Sequence, residues 1–260
     1  MTSQAPRGEK REVSGLGGVT IAGTPVSYVA IMAAIVAVLA FVPASVVVGG
    51  MGGGWPLHDA IHPLVGLLLG PIAGPIASVI GMLIGNAIAP YTNLGPWSPL
   101  MGLMSAFSAG MVAQRGKIYW LVPWLITLVL HVVYYFLAVG YGISTGLWFS
   151  NVFTVTIALI LIVIPQVREW AVRTVRESPV SWQMGVALYI IFFFGSTAGI
   201  QAIWTPGFAT NPWPAEVWPP LVVIILVERG VFTLVGVLVG LGVISALRRS
   251  SFVKPKTAGY

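Results

Sequence analysis

The sequence predicts an all-α, polytopic membrane protein, a bundle of about eight transmembrane helices with both termini in the cytoplasm. Its 260 residues are 57% hydrophobic and only 8% charged, and the mean hydropathy is +0.92, whereas charged residues make up about 25% of a soluble domain. Apolar runs such as 26–48 and 118–138 reach the roughly 17 to 25 residues that cross a bilayer. Strand-like alternation is missing, so helices rather than a β-barrel are expected to satisfy the backbone.

The basic residues predict how the chain is threaded through the membrane. Twelve of the thirteen fall in four clusters: Arg7, Lys10 and Arg11; Arg115 and Lys117; Arg168, Arg173 and Arg176; Arg248, Arg249, Lys254 and Lys256. Cytoplasmic loops retain Lys and Arg, so all four clusters should lie on the inner side, with an even number of crossings between successive clusters. This placement indicates membrane topology rather than nucleic-acid binding, despite a net charge of +6.

Eight apolar segments satisfy that parity. In chain order they are residues 25–48, 63–71, 73–89, 99–113, 118–139, 150–164, 182–203 and 218–247. The second and third are unusually short and meet at a Gly/Pro hinge, which is typical of the broken helices that line small-solute sites. Because the second is barely long enough to span, six or seven crossings are the alternative. The expected organisation is a cytoplasmic tail over residues 1–24, one transmembrane domain over 25–249 and a basic cytoplasmic tail over 250–260.

Small residues at four-residue spacing predict close helix packing. They line one face of the third segment: Ala73, Ala77, Gly81, Gly85 and Ala89. The first segment carries two overlapping pairs, Ala30 with Ala34 and Ala33 with Ala37, and no polar group beside them. Packing within the chain and docking of another membrane subunit are both compatible with that first helix.

His58, Asp59 and His62 precede the short second segment and are the first candidate site. Histidines four residues apart on a helix converge on one metal ion. However, Pro63 suits the first helical position and disfavours α geometry in the residue before it, so the sequence predicts His62 at the helix cap and His58 in the preceding loop. We therefore expect no metal site here, and a ligand-facing polar cluster or ordinary interfacial capping instead.

Glu228 and Arg229 are the only charged residues deep in a predicted span. Charge within a membrane is costly and usually functional, so an ion pair to another helix and contact with a solute are the two interpretations. The predicted outer loops hold six of the ten tryptophans. Most suit an interfacial aromatic belt, and Trp97 and Trp213, each beside proline, are candidates for rigid walls over a ligand.

Missing motifs argue against an enzyme. The chain has no cysteine, no GxxxxGK[ST] phosphate loop, no GxSxG elbow and no HExxH motif. We therefore expect no catalytic residue, no resident cofactor and no ATP hydrolysis by this chain itself.

Three stretches together resemble the S components of energy-coupling factor (ECF) vitamin transporters. They are the alanine-rich AIMAAIVAVLAFVP, the LGP-type turn in LVGLLLGPIAGPIASVIGMLIGNAI, and the final LVERGVFTLVGVLVGLGVISALRR. The resemblance covers about residues 25–114 and 226–249. That family usually has six helices and a shorter chain, whereas the charge parity here predicts about eight.

The resemblance implies a multi-pass subunit of a prokaryotic cell membrane that captures a vitamin-like solute from outside. A transmembrane coupling subunit and cytoplasmic ATPases would then drive uptake. It implies a docking face made of Ala30, Ala33, Ala34 and Ala37. It also implies a solute pocket formed from His58, Asp59, His62, Asn93, Trp97, Trp148, Trp213 and Glu228.

Two other classes of function are the alternatives. One is a subunit of a membrane redox complex in which His58, His62 or His131 ligates haem or contacts quinone. The other is an accessory scaffold that packs on a larger membrane assembly. In every case membrane lipid surrounds the chain.

Overall fold

The computed structural model describes residues 19–46, 54–92 and 95–260, and within them the chain is an all-α bundle, as predicted. Eight α-helices occur in the described residues: α1 Val26–Leu39, α2 His62–Ile88, α3 Ser98–Val112, α4 Lys117–Gly140, α5 Thr145–Val163, α6 Pro165–Glu177, α7 Trp182–Thr210 and α8 Trp218–Arg249. Two small antiparallel pairs accompany them, β1 (Thr20–Ile21) with β2 (Thr24–Pro25) and β3 (Pro43–Val46) with β4 (Gly54–Pro56).

Five of the described helices are long and apolar enough to cross a membrane. They are α2, α4, α5, α7 and α8, the last together with the 3₁₀ turn before it. By contrast, α1 and α3 are shorter apolar helices. The number of crossings therefore stays a prediction.

The chain reverses direction within α2, where the sequence predicts a hinge. Gly70 has φ 87° and ψ 179°, a conformation that favours glycine, and Pro71 supplies no N–H to continue the first arm. A Cβ on Gly74 would lie 2.7 Å from the Cα of Gly66, a contact that is out of reach for residues eight apart in a straight helix. The predicted second and third segments are thus the two arms of one helical hairpin, residues 62–69 and 71–88.

Glycines let this hairpin pack against α3. A Cβ on Gly66 would lie 1.9 Å from the carbonyl oxygen of Ala106, and one on Gly110 would lie 2.8 Å from the carbonyl oxygen of Gly66. Backbones approach this closely only where side chains are absent. The first arm is therefore held between the second arm and α3.

The predicted small-residue stripe on the second arm packs against α1. A Cβ on Gly81 would lie 2.6 Å from the carbonyl oxygen of Ala33, and one on Gly85 would lie 2.8 Å from the Cβ of Ala40. Ala73 and Ala77 are fully buried as well. The packing role predicted for this stripe is confirmed.

Three predicted helix boundaries are wrong, one of them at the seventh apolar segment, which ends at Thr210 instead of residue 203. The first helix ends at Leu39 instead of residue 48, because Pro43 opens the β3–β4 hairpin and disfavours helical geometry in the residue before it. The sixth apolar segment begins at Thr145 instead of residue 150, since the Ser144 hydroxyl accepts a hydrogen bond from the backbone N–H of Leu147 at 3.3 Å and caps the helix.

Three of the basic clusters share one end of the bundle, as the charge parity predicts. Arg176 Nε donates to the carbonyl oxygen of Ala113 at 2.8 Å, next to the Arg115 cluster. Arg248 donates to the carbonyl oxygens of Val175 and Ser178, each at 2.6 Å. The fourth cluster, Arg7 to Arg11, lies outside the described residues. The amphipathic helix α6 joins these contacts and buries Ala171, Val172 and Val175 on its inner face.

The predicted basic tail over residues 250–260 packs onto the bundle at the same end. The backbone N–H of Gly259 donates to the carbonyl oxygen of Leu67 at 2.7 Å, and the Thr257 hydroxyl donates to that of Leu69 at 3.3 Å. Thr24 donates to Leu69 as well, at 2.9 Å. These donors satisfy carbonyl groups that the break at Gly70 removes from the helical ladder.

Candidate functional site

Five ionisable side chains lie together inside the bundle. This polar cluster consists of His58, Asp59, His62, Glu228 and Arg229, whose residues are exposed by 0%, 3%, 0%, 7% and 2%. Ionisable groups buried in an apolar membrane protein are costly, so they mark a functional site by default. The sequence singled out all five, and the structure brings them into one place.

A short 3₁₀ turn, Leu57–Ala60, positions the first half of the polar cluster. It follows β4 directly and runs into α2 after one residue. Its start is fixed by a hydrogen bond from the Leu57 N–H to the carbonyl oxygen of Val42, 2.9 Å long. Its end is pressed against α8, where a Cβ on Gly236 would lie 2.2 Å from the carbonyl oxygen of Ala60. The turn is thus fixed between the end of α1 and the middle of α8.

The two histidines converge, contrary to the prediction that Pro63 separates them. His58 does precede the helix and His62 does begin it, but their ring centroids are 5.1 Å apart. His58 Nε2 lies 3.3 Å from Asp59 Oδ1, and His62 Nε2 lies 3.8 Å from the same oxygen. The reason is that the 3₁₀ turn continues almost directly into α2. The backbone therefore stays helical from His58 to His62, and both rings lie on the same side of it.

Helix α8 supplies the second half of the polar cluster. Glu228 accepts a short hydrogen bond from the Ser45 hydroxyl on β3, and its Oε2 lies 3.6 Å from Arg229 Nη2. Arg229 Nη1 donates to the Ser196 hydroxyl of α7 at 3.3 Å. Its charge also acts on Asp59, which joins the two halves electrostatically. The ion pair therefore forms within α8 itself, between consecutive residues.

The β3–β4 hairpin also contacts the polar cluster. Besides Ser45, it contributes Trp55, whose ring centroid lies 5.5 Å from the Arg229 guanidinium carbon, and Phe232 of α8 lies 5.3 Å from the same carbon. Residues 47–53, between the two strands, lie outside the described part of the chain. Sequence reasoning missed Ser45 as a contact, since nothing in PASVVV marks it, whereas Trp55 was visible as one of the outer-loop tryptophans.

Trp213 belongs to a different group of residues. It lies in an aromatic cluster with Tyr134, Trp204, Phe208 and Trp218, whose neighbouring ring centroids are 5.6 to 6.4 Å apart. Trp218 is fully buried, so this group is an interhelical core as much as an interfacial belt. The ring partners of Trp213 are Trp204 and Phe208 of α7 and Trp218 of α8, not His58 or His62.

The remaining predicted site residues are also dispersed. Trp148 packs against His131 and Tyr135, with centroids 4.9 Å from each. Trp97 Nε1 donates to the Thr210 hydroxyl at 3.3 Å, in an exposed position. Asn93 lies outside the described residues. Of the eight predicted solute-contacting residues, the structure thus brings together four, namely His58, Asp59, His62 and Glu228.

His131 is engaged in interhelical hydrogen bonding. Nδ1 lies 3.4 Å from Gln201 Oε1 and Nε2 lies 3.3 Å from the Thr156 hydroxyl. With both ring nitrogens occupied, this side chain has a structural role and is not poised to ligate haem.

The predicted docking face on α1 is divided. Ala33 and Ala37 are 4% and 5% exposed because they pack on the second arm of α2, so in this structure they are not accessible to another subunit. Ala30 and Ala34 are exposed, and they lie beside exposed Ile31, Ile35 and Val38. The accessible part of the face is therefore an apolar strip centred on Ala30 and Ala34.

Comparison with known families identifies one match. A family model described as "ECF-type riboflavin transporter, S component" matches residues 21–175. The match runs through α4 and α5, which the resemblance seen in the sequence did not include, and it stops before α8, which that resemblance did include. No curated protein and no solved structure matches the chain.

Proposed function

The chain belongs to the family of S components of ECF-type riboflavin transporters, and from this premise we propose that it captures a vitamin-type solute at the polar cluster. Members of this family are substrate-binding membrane subunits, not enzymes. The observation that carries the proposal is the burial of His58, Asp59, His62, Glu228 and Arg229 at one point in an otherwise apolar bundle.

The composition of the polar cluster favours a solute with several hydrogen-bonding groups. Two imidazoles can donate and accept hydrogen bonds and two carboxylates can accept them, and the Trp55 and Phe232 rings around Arg229 supply flat apolar surface. The β3–β4 hairpin closes one side of the site, and its Ser45 and Trp55 both reach the cluster. We place the entrance at this hairpin, on the outer side, because the basic clusters gather at the opposite end of the bundle.

Riboflavin, the solute in the family's description, is the first probe. We expect the purified chain to quench flavin fluorescence on binding with one site per chain, and Glu228→Gln to weaken that binding about tenfold or more, because a hydrogen bond to a charged group contributes about 1.5 to 3 kcal/mol. Glu216→Gln is the matched control. Glu216 is exposed and lies just before α8, so this change should leave the affinity for riboflavin unchanged.

Native mass spectrometry of gently solubilised protein extends the test to other solutes. A co-purifying small molecule other than riboflavin, lost in Glu228→Gln, would support solute capture and correct its identity. A folded, monodisperse protein that retains no solute and does not bind riboflavin would overturn the proposal.

We further propose that Ala30 and Ala34 dock the transmembrane coupling subunit, with cytoplasmic ATPases supplying the energy. We expect Ala34→Trp to abolish most co-purification with that subunit, because an indole on this strip holds the partner backbone away, while solute affinity stays the same. Val227→Trp is the control, as Val227 is a comparably exposed apolar residue on α8. Equal recovery of the complex from both variants would contradict the docking assignment.

A further inference from the structure

We propose that His58, Asp59 and His62 form a binding site for one divalent first-row transition-metal ion. One ligand atom from each of the three side chains lies within 4.8 Å of the other two, and all three residues are buried. This inference goes beyond solute capture and does not depend on which solute the chain binds.

The hydrogen bonding of His58 creates an unfavourable contact that a metal ion would relieve. Nδ1 lies 3.3 Å from the carbonyl oxygen of Val36, which can only accept, so Nδ1 carries the proton. In the neutral ring Nε2 is then an acceptor, and it faces the acceptor oxygen Asp59 Oδ1 at 3.3 Å. Two acceptors at this distance repel one another unless a proton or a cation lies between them.

A single proton does not satisfy this group. His58 Nε2, both Asp59 carboxylate oxygens and both His62 nitrogens lack a hydrogen-bond partner within the part of the chain that the structure describes. One added proton would bridge His58 Nε2 to Asp59 Oδ1. His62 Nε2 lies 3.8 Å from that oxygen, which is beyond hydrogen-bond distance, so the His62 ring would stay buried without a partner at a cost of about 1 to 3 kcal/mol. A metal ion contacts all three side chains at once.

Two of the three distances between the ligand atoms are close to those of a metal site. Ligands about 2.1 Å from a tetrahedral zinc ion lie about 3.4 Å apart, and the Nε2 atoms of His58 and His62 lie 3.3 and 3.8 Å from Asp59 Oδ1. The bond from His58 Nδ1 to the Val36 carbonyl is the second contact that orients a metal-ligating histidine. Gly102 leaves room beside His62, since a Cβ there would lie 3.0 Å from His62 Cε1.

The surrounding charges and donor types define the class of ion. Within the described part of the chain, Glu228 and Arg229 are the charged residues that act on Asp59. The carboxylates of Asp59 and Glu228 outnumber the one guanidinium, which favours a cation. Two imidazoles and one carboxylate suit Zn²⁺, Ni²⁺, Co²⁺ or Fe²⁺ rather than Mg²⁺ or Ca²⁺, which prefer oxygen ligands. Three protein ligands leave a coordination position open to water or to a donor atom of a solute.

Cobalt substitution tests the site on the intact chain. After chelator treatment, we expect Co²⁺ to bind with a stoichiometry of one per chain and to give visible d–d absorption, and X-ray absorption of the Zn²⁺ form to show scattering from two imidazoles. His62→Gln and Asp59→Asn should each lower metal affinity tenfold or more. His131→Gln is the control, a buried histidine outside the trio, and should bind Co²⁺ like the parent.

The outcomes separate this inference from the proposed function. No Co²⁺ binding by folded parent protein, or binding unchanged in His62→Gln and Asp59→Asn, overturns the metal site even if riboflavin or another solute still binds. Stoichiometric Co²⁺ binding with imidazole scattering supports the metal site even if no vitamin-type solute is found. Riboflavin titrations with and without Zn²⁺ then show whether the two ligands share the cluster.

Discussion

Gly66→Ala is expected to destabilise the protein by about 3 kcal/mol or more, because a Cβ would lie 1.9 Å from the carbonyl oxygen of Ala106 and overpacked cores that cannot relax lose this much. The obstacle is backbone, not a flexible side chain, so the first arm of α2 and helix α3 must move apart. Thermal unfolding in detergent and the yield of monodisperse protein measure the effect.

Gly242→Ala, on α8 of the same bundle, is the matched control, for which we expect no loss of stability. A Cβ on Gly242 would have open space around it, with no neighbouring heavy atom of the described residues within 4 Å. The higher helix propensity of alanine should therefore leave stability unchanged or raise it by up to about 1 kcal/mol. If Gly66→Ala unfolded at the same temperature as Gly242→Ala, that result would contradict the close backbone contact between α2 and α3.

Arg229→Met is the second change with a large expected effect. Arg229 is 2% exposed and lies 3.6 Å from Glu228, and its charge also acts on Asp59. Removing one partner of a buried ion pair leaves uncompensated charge and costs about 3 to 5 kcal/mol. We therefore expect a large drop in unfolding temperature, measured in the same detergent.

A double-mutant cycle tests the electrostatic cause. The combination Glu228→Gln with Arg229→Met should be more stable than Arg229→Met alone, because one of the unpaired carboxylates has been neutralised. Arg173→Met, at an exposed position on α6, should change stability by less than about 0.5 kcal/mol. Additive losses in the cycle would show that Arg229 contributes by packing on Trp55 and Phe232 rather than by its charge.

Local chemistry was sufficient to predict much of this molecule from its sequence. Hydropathy predicted an all-α membrane bundle, and the Gly70–Pro71 pair predicted a break in α2, because φ 87° favours glycine and proline cannot donate to the preceding turn. The grouping of basic residues predicted that the Arg115, Arg176 and Arg248 clusters meet at one end. Each of these signals depends on a residue and its near neighbours in the chain.

The composition of the site was decided by contacts between distant segments. Ser45 reaches Glu228 across 183 positions of sequence, and no local pattern encodes that approach. The sequence offers Trp148 and Trp213 as outer-side candidates on the same footing as His58. In the structure, however, Trp148 packs against aromatic rings of α4, and Trp213 packs against the Trp204 ring of α7. Likewise Ala33 and Ala37 are buried only because Gly81 and Gly85 lie opposite them.

His58, Asp59 and His62 show most clearly what each level determined. The sequence by itself determined that three ligating groups lie within five residues at the entrance to a broken helix, and that Pro63 begins that helix. Only the tertiary structure decided that they converge, because the 3₁₀ turn is pinned at Val42 on one side and at Gly236 on the other. Contacts with Val42, just after α1, and with Gly236 of α8 hold the turn in a coil that local propensity alone does not select.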